Sequence, residues 1–413
     1  MGPPRTLIPN PQSSIRQPVG VMLLVSDLEH GGAQRQVVQL ARSLDRSRFH
    51  PVVCCLSDHV PLASNLPDPD RDLVIVKRGW RFDATTVWKL ARVLKQRNIS
   101  IVHAFLFDAE VAARLGGRLA RVPIVIGSER NSDYQRSLIQ SICLRLTRGM
   151  FDAVIANSRA GKRFVIDTQG VDDDRIHVVY NGVDVNEFRP FDASETRRRL
   201  GIGEGEPVVG MVASYKPQKN HLMFLQCGRR IAKSIGNVRF LLVGGQLGNE
   251  SGKTAILKPG TGIHKNVGQY YQQVMRTMGE LELRERCVLV KESDELPSLY
   301  NVCDVTVLTS RHEGTPNVLL ESMACGVPVV ATNVADNAFV VPSGEVGYHV
   351  DVDDADGMAE KVCGLLSRHE ERRRMGAAAR AWVERQFSTS ALARNTEAVY
   401  AELLAGKRSR RGH

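Results

Sequence analysis

The sequence predicts an α/β protein made of two doubly wound units, each a parallel sheet with helices on both faces. Three observations carry this. Strand-like and helix-like patterns alternate along the chain, as parallel sheets with crossover helices require. The alternation is interrupted once, by a polar stretch from Asn186 to Glu206 holding Arg189-Pro190 and glycines at 201, 203 and 205, and then restarts. A chain of 413 residues has the length of two domains at roughly 100–200 residues each.

In chain order, Val19–Ser26 reads as a first apolar strand, broken by Gly31-Gly32, after which Ala33–Leu44 has helical periodicity. Further strands are expected at Pro51–Leu56, Leu73–Val76, Ile101–Ala104, Ile124–Gly127, Ala153–Asn157 and Ile176–Val179, with helices such as Asp83–Arg97 and Asp108–Arg121 between them. The second unit should place strands at Val208–Ala213, Arg239–Val243, Val288–Val290, Val305–Thr309 and Val329–Thr332. From Ala355 to about Leu404 the pattern is helical, with a break near Phe387–Thr389. The division is therefore a disordered leader over 1–18, a first domain over 19–190, a linker over 191–206 and a second domain over 207–385. A helix over 386–404 should return to the first domain, and a frayed basic tail should occupy 405–413.

Composition narrows the function. The net charge is +10, and residues 1–150 hold 21 Lys and Arg against 12 Asp and Glu. That excess suits a nucleoside diphosphate, a polyanion or an anionic lipid surface. Aromatics are 6% and do not interleave with the basic residues, which disfavours nucleic acid. No apolar run reaches the roughly 18–20 residues of a spanning helix. The Pro-rich start has no signal-peptide core, so a cytoplasmic location is expected, with room for peripheral attachment to the inner face of a membrane. The eight cysteines show neither Cys-x-x-Cys nor zinc spacing, and are read as reduced core residues.

The most informative segment is Thr309 to Asn337. A strand ends in a loop with Glu313 and Gly314. Thr315 can cap a helix, Pro316 suits its first position and Gly326 its end. Glu321 then lies about a turn and a half inside that helix. The amides of Asn317, Val318 and Leu319 would face an anion at the N-terminus. Carboxylates repel phosphate, so Glu321 and Glu313 should take hydroxyls instead, of a ribose and a sugar respectively.

Glu313-x7-Glu321, with Gly314, Pro316, Asn317 and the ESMACGVPVVAT that follows, resembles the signature of retaining glycosyltransferase family four, whose fold is GT-B, here of the kind that builds bacterial polysaccharide and lipopolysaccharide. The resemblance runs from roughly residue 20 to residue 400. Its other landmarks follow in order: Gly31-Gly32-Ala33, IVHA at 101–104, YNGVD at 180–184 and Lys219. It implies two Rossmann-like domains facing a cleft, the second holding a nucleotide sugar and the first the acceptor. Glu321 would bind the ribose and Glu313 the donor sugar, while Lys219 neutralises the diphosphate as charge builds on the leaving group. Gly31 and Gly32 would let backbone approach the donor, and His103 would meet the reacting sugar. The family often carries an arginine where Ser214 stands, which makes Lys216 the candidate for that charge. Relatives often have a histidine at the position of Arg130. Arg130 and Asn131 are therefore placed at the acceptor rim, where Arg130 could hold an acceptor phosphate.

The resemblance further implies retention without a protein nucleophile, the donor phosphate taking the acceptor proton. No cofactor or metal is expected. Asp351-Val352-Asp353 resembles a metal-binding pair but fits a cap before Ala355, and Asp68-Pro69-Asp70 sits in a turn. The donor base, uridine or guanosine, stays open, and the acceptor is read as lipid-linked or polysaccharide, in cell-surface glycan synthesis. Two rivals remain: an epimerase or hydrolase acting on sugar nucleotides, and a non-enzymatic basic binding protein. ESGKT at 250–254 lacks the glycine spacing of a phosphate loop, and 245–269 is read as a surface insertion over the cleft.

Overall fold

The computed structural model describes residues 18–79, 83–130, 138–244, 262–291 and 295–409. The first sheet holds β1 (Val19–Val25), β2 (Phe49–Cys55), β3 (Leu73–Ile75), β4 (Ile99–Ala104), β5 (Ile124–Glu129), β6 (Ala153–Ala156) and β7 (Ile176–Val178). The second holds β8 (Val208–Val212), β9 (Arg239–Val243), β10 (Cys287–Val290), β11 (Val305–Leu308), β12 (Val329–Thr332) and β13 (Gly347–Val350). Their orders are β3-β2-β1-β4-β5-β6-β7 and β10-β9-β8-β11-β12-β13, and every pairing is parallel. Helices cover both faces, so the strands are apolar on both sides; β1 runs from Val21 to Val25 with no exposed residue. The chain order reverses between β1 and β4 and between β8 and β11. Parallel sheets bind ligands at such points, beyond the carboxyl ends of their strands.

These are the two Rossmann-like domains the alternation predicts. The strand the sequence reading missed is β13, a short piece at the edge of the second sheet paired only to β12.

The stretch 191–206 is not a free linker. It carries the helix Ser194–Arg199, and Val183, Phe188, Ala193 and Ile202 are all buried in the core of the second domain. Arg197 donates to the carbonyls of Val302 and Glu206. Polar composition suggested a linker because the helix buries only these few apolar anchors. The crossing is instead two adjacent strands of chain. Val183 donates to the Phe387 carbonyl at 2.8 Å, and Thr389 donates to the Val183 carbonyl at 3.0 Å. Gly182 is required there, because a Cβ would lie 2.9 Å from the Leu392 side chain and 3.1 Å from Thr389 Cα.

After this crossing the helix Thr389–Ser409 packs Leu392, Val399 and Tyr400 into the first domain's core. It runs through most of the stretch expected to fray, and Lys407 Nζ meets Asp152 Oδ1 at 2.6 Å. Residues 1–17 and 245–261 lie outside the described residues, but the end of the supposed 245–269 insertion belongs to the helix Gly262–Glu280. The cap before Ala355 is Asp354, which accepts from the Gly357 amide; Asp353 instead accepts from Asn220 and Arg311. Asp68 caps the short helix Pro69–Asp72. All eight cysteines are free, and burial pushes thiols such as Cys55 up to about 12.

Candidate active site between the two sheets

The loop after β11 is pinned from below. Thr309 Oγ1 donates to the Lys219 carbonyl at 2.8 Å, the Arg311 amide donates to the Gln218 carbonyl at 2.9 Å, and Gln218 Nε2 donates to the His312 carbonyl at 2.7 Å. These bonds tie the turn Pro217–Lys219 to the loop after β11. The result is an ion pair, Lys219 Nζ to Glu313 Oε1 at 2.5 Å, with the Glu313 carboxylate nearly buried. Lys216 stands at the start of the same turn. The two residues expected at the donor's sugar and at the diphosphate next to it therefore touch each other.

The helix that follows is Asn317–Ala324. Pro316 occupies the position before its first turn. Thr315 does not cap it; its hydroxyl donates to the Asn157 carbonyl of the first domain. Of the three amides expected to be open, that of Leu319 is taken by the Pro316 carbonyl at 3.2 Å, while Val318 packs its side chain against the second core. Gly326, at φ +74°, closes the helix as expected, with the Val327 amide reaching back to the Ser322 carbonyl.

Glu321, on this helix, is itself buried. It accepts from Tyr300 Oη at 2.9 Å, and Arg35 of the first domain stands 3.7 Å away. Burial raises its pKa above the ordinary carboxylate value, with Arg35 and Tyr300 pulling the other way.

Facing it, the helix Gly32–Ser43 begins with Gly31 as its cap. The two helix N-termini meet: Asn317 Nδ2 donates to the Gly32 carbonyl at 3.3 Å, and Asn317 Oδ1 accepts from Asn181 Nδ2 at 2.7 Å. Gln36 exchanges two 2.8 Å bonds with the backbone of Gly182. Gly314 lies against the first domain so closely that a Cβ would be 2.5 Å from Asn157 Oδ1 and 2.9 Å from the Arg130 carbonyl. Asp336, beyond β12, accepts from the amides of Arg159 and Ala160 at 2.6 and 3.0 Å and from Tyr180 Oη at 2.7 Å. A carboxylate of one domain thus caps a helix of the other.

His103, near the end of β4, is 2% exposed. Its Nδ1 is 2.7 Å from Tyr400 Oη and its Nε2 2.7 Å from Ser128 Oγ. A neutral imidazole satisfies both by donating through one nitrogen and accepting through the other. Burial, assisted by the charge of Arg130, holds its pKa well below the usual histidine value. Arg130 lies over Phe105 at 4.9 Å and donates to Asn181 Oδ1 at 3.3 Å. Burial lowers its pKa to about 10, so it stays charged at neutral pH. Its Nε finds no acceptor among the described residues. Asn131 lies outside them.

The structure thus gathers Gly31, Gly32, Lys219, Glu313, Gly314, Thr315, Asn317 and Glu321 around one junction, and sets His103 behind Arg130 on its first-domain side. Sequence reasoning missed Arg35, Gln36, Tyr300, Asn157, Asp336 and Tyr400. Arg35 and Gln36 carried a signal, being in the first turn after Gly31-Gly32, and Asn181 stood within the quoted YNGVD. Among the described residues no group of three or more His, Cys, Asp or Glu could hold a metal.

Two facing Rossmann-like domains, with a Lys–Glu pair beside a helix N-terminus and a buried glutamate inside that helix, define a two-domain glycosyltransferase that uses sugar nucleotides. The profile "Glycosyltransferase Family 4" matches residues 30–187, and "Glycosyl transferases group 1" matches residues 192–382. The chain is 24% identical to the N-acetyl-alpha-D-glucosaminyl L-malate synthase of Bacillus anthracis, over 78% of this chain and 80% of that one. It is also 24% identical to the UDP-Gal:alpha-D-GlcNAc-diphosphoundecaprenol alpha-1,3-galactosyltransferase of Escherichia coli, over 82% and 87% respectively. Among solved structures, Anabaena HepE in complex with UDP superposes with a TM-score of 0.78 at 20% identity, over 93% of this chain and all of that one. The chain belongs to glycosyltransferase family four and has the GT-B fold.

Proposed function

We propose that the enzyme transfers a sugar with retention of configuration, from a nucleoside-diphosphate sugar bound mainly by the second domain to a lipid-linked or glycan acceptor held by the first. The observation that carries this is the Lys219–Glu313 pair, set beside the N-terminus of the helix that bears Glu321. In the reaction, negative charge grows on the departing diphosphate. Lys219 and the first amides of the Asn317 helix stabilise it there. Glu313, already held by Lys219, is positioned to accept from a sugar hydroxyl, and Glu321 from the ribose. Neither carboxylate is free to act as one of a hydrolase pair, which supports attack on the face the leaving group departs from. We assign no metal to the step, since Lys219 supplies the fixed positive charge.

A UDP-linked donor is the first choice: the E. coli relative is named for UDP-Gal, and HepE was solved with UDP and with UDP-glucose. The E. coli relative is also named for a diphosphoundecaprenol-linked acceptor. For such an acceptor, Arg130 is the candidate cation, because it stays charged at neutral pH and its Nε finds no acceptor among the described residues.

Thermal unfolding with UDP, GDP, ADP and their sugar conjugates tests the donor. A nucleotide at about 100 times its Kd adds roughly 2.7 kcal/mol. One nucleotide should stabilise the protein, and Lys219→Ala should abolish the effect; stabilisation by none would overturn the reading. The anomeric configuration of the product, read by NMR, tests retention, and activity that is lost with chelator and restored by manganese would contradict a metal-free step.

A further inference from the structure

The helix Leu138–Leu146 turns its apolar residues the wrong way for a soluble domain. Leu138 is 82% exposed, Ile139 67%, Ile142 54% and Leu146 77%. At spacings of three, four and eight these side chains form one stripe. The helix is not loosely attached. Leu144 is fully buried, and the buried Arg114 donates to the Leu144 carbonyl at 3.0 Å, to Thr147 Oγ1 at 2.9 Å and to Glu110 at 3.1 Å. The fold therefore fastens the helix by its backbone and leaves its apolar face outward.

The neighbouring helices extend that face. Phe107–Ala120, which carries Arg114, exposes Leu115 and Leu119. Ala84–Gln96, packed on it through Leu90 and Gly116, exposes Trp88 at 70%. The same helices expose the cations Lys89, Arg92, Arg118 and Arg145, and Arg121 and Arg148 are exposed just past the ends of two of them. The three helices contain only two carboxylates, Asp108 and Glu110. Asp108 is paired with Arg78, and Glu110 is buried with Arg114.

We propose that this three-helix face docks the enzyme on an anionic lipid bilayer. Apolar side chains alongside cations match the boundary of a leaflet that carries negative headgroups. A second copy of the chain is the poorer occupant, because an isologous interface would set this cationic face against itself. The proposal rests on the reading that the acceptor is lipid-linked. The docking helix begins eight residues after Arg130, on the domain assigned to the acceptor, so docking would bring that end of the cleft to the membrane.

The test is sedimentation of the full chain with phosphatidylglycerol-rich vesicles and with pure phosphatidylcholine vesicles. The protein should bind the anionic vesicles, and added salt should weaken the binding. Leu138→Ser/Ile142→Ser and Arg92→Glu/Arg118→Glu should each weaken it at least about tenfold, while nucleotide stabilisation and transfer to a water-soluble acceptor stay at the wild-type level. No binding to anionic vesicles, or equal binding by the variants, would overturn the proposal. So would a wild-type dimer in sedimentation equilibrium that the Leu138→Ser/Ile142→Ser change converts to monomer. Nucleotide stabilisation is read separately, so loss of docking and failure of the donor assignment are distinguishable.

Discussion

The two halves of the cleft are built differently. The second domain's half comes from one run of sequence, Thr309 to Glu321, with Lys219 added from a turn that the same run pins. The first domain's half is gathered from separate places: Gly31 to Gln36 after β1, His103 at the end of β4, Arg130 after β5 and Asn181 after β7. Even Tyr400, from a helix more than two hundred residues further along the chain, takes part through His103. On the reading proposed above, the second domain's half takes the donor and the first domain's half the acceptor. A half made of one segment is compact and can be recognised without the fold, whereas a half made of strand ends has no single segment to mark it.

The contrast makes the donor half the place where single changes should cost most. Lys219→Ala removes the cation facing the leaving group and strands a buried carboxylate, so kcat/KM should fall about 10²–10³-fold. A fall of the same size in an Arg130→Ala variant would break the asymmetry.

Glu321→Gln should come next. Loss of a charge-assisted bond should weaken nucleotide binding by about 1.5–3 kcal/mol, read by titration calorimetry. Stability of the unliganded protein should move the other way. A carboxyl whose pKa is raised by folding favours the fold while protonated and costs stability as pH rises through the raised value. The variant should therefore match wild type below pH 4.5 and be at least as stable at neutral pH. Lower stability at neutral pH would show that Arg35 outweighs burial.

The acid limb tests one buried histidine in each domain, His103 in the first and His221, at the start of the helix His221–Ser234, in the second. Folding depresses the pKa of His103 well below 6.5 and that of His221 to about 4, in both cases mainly through burial. The unfolded chain takes up these protons first. Stability that is fully present above pH 6.5 should fall as pH drops, by about 1.4 kcal/mol per pH unit for each histidine. Replacing His103 with glutamine should flatten the slope by one such share, as measured by denaturant unfolding from pH 7 to pH 5.

The smallest effect should be that of Tyr400→Phe, about 1 kcal/mol in unfolding free energy. It should raise KM for acceptor more than it changes nucleotide binding, because Tyr400 orients His103 on the first-domain side. Equal changes in both would mean that the C-terminal helix supports the cleft as a whole.

The strands and the loop that enters the helix Asn317–Ala324 were legible in the sequence because each depends on local pattern. Continuous apolar runs mark strands buried on both faces, and Gly, Pro and Glu at fixed offsets mark a loop entering a helix. The linker and tail were misread for the same reason. Ser194–Arg199 is too polar to announce that Ala193 and Ile202 anchor it, and nothing local in 405–409 says that Lys407 will meet Asp152.

By itself, then, the sequence determined two parallel-sheet units, their order, and a loop entering a helix that carries Glu313 and Glu321, since periodicity and spacing are properties of neighbouring residues; Lys219 was singled out only by the resemblance. Only the tertiary structure decided that Thr315 bonds across to Asn157 rather than capping its own helix, that Arg35 reaches Glu321, and that Asp336 clasps the start of the helix Arg159–Gln169. It also decided that His103 is held between Ser128 and Tyr400. Each of these joins residues from segments remote in sequence, and such a pairing is fixed by how the two sheets and the returning C-terminal helix pack.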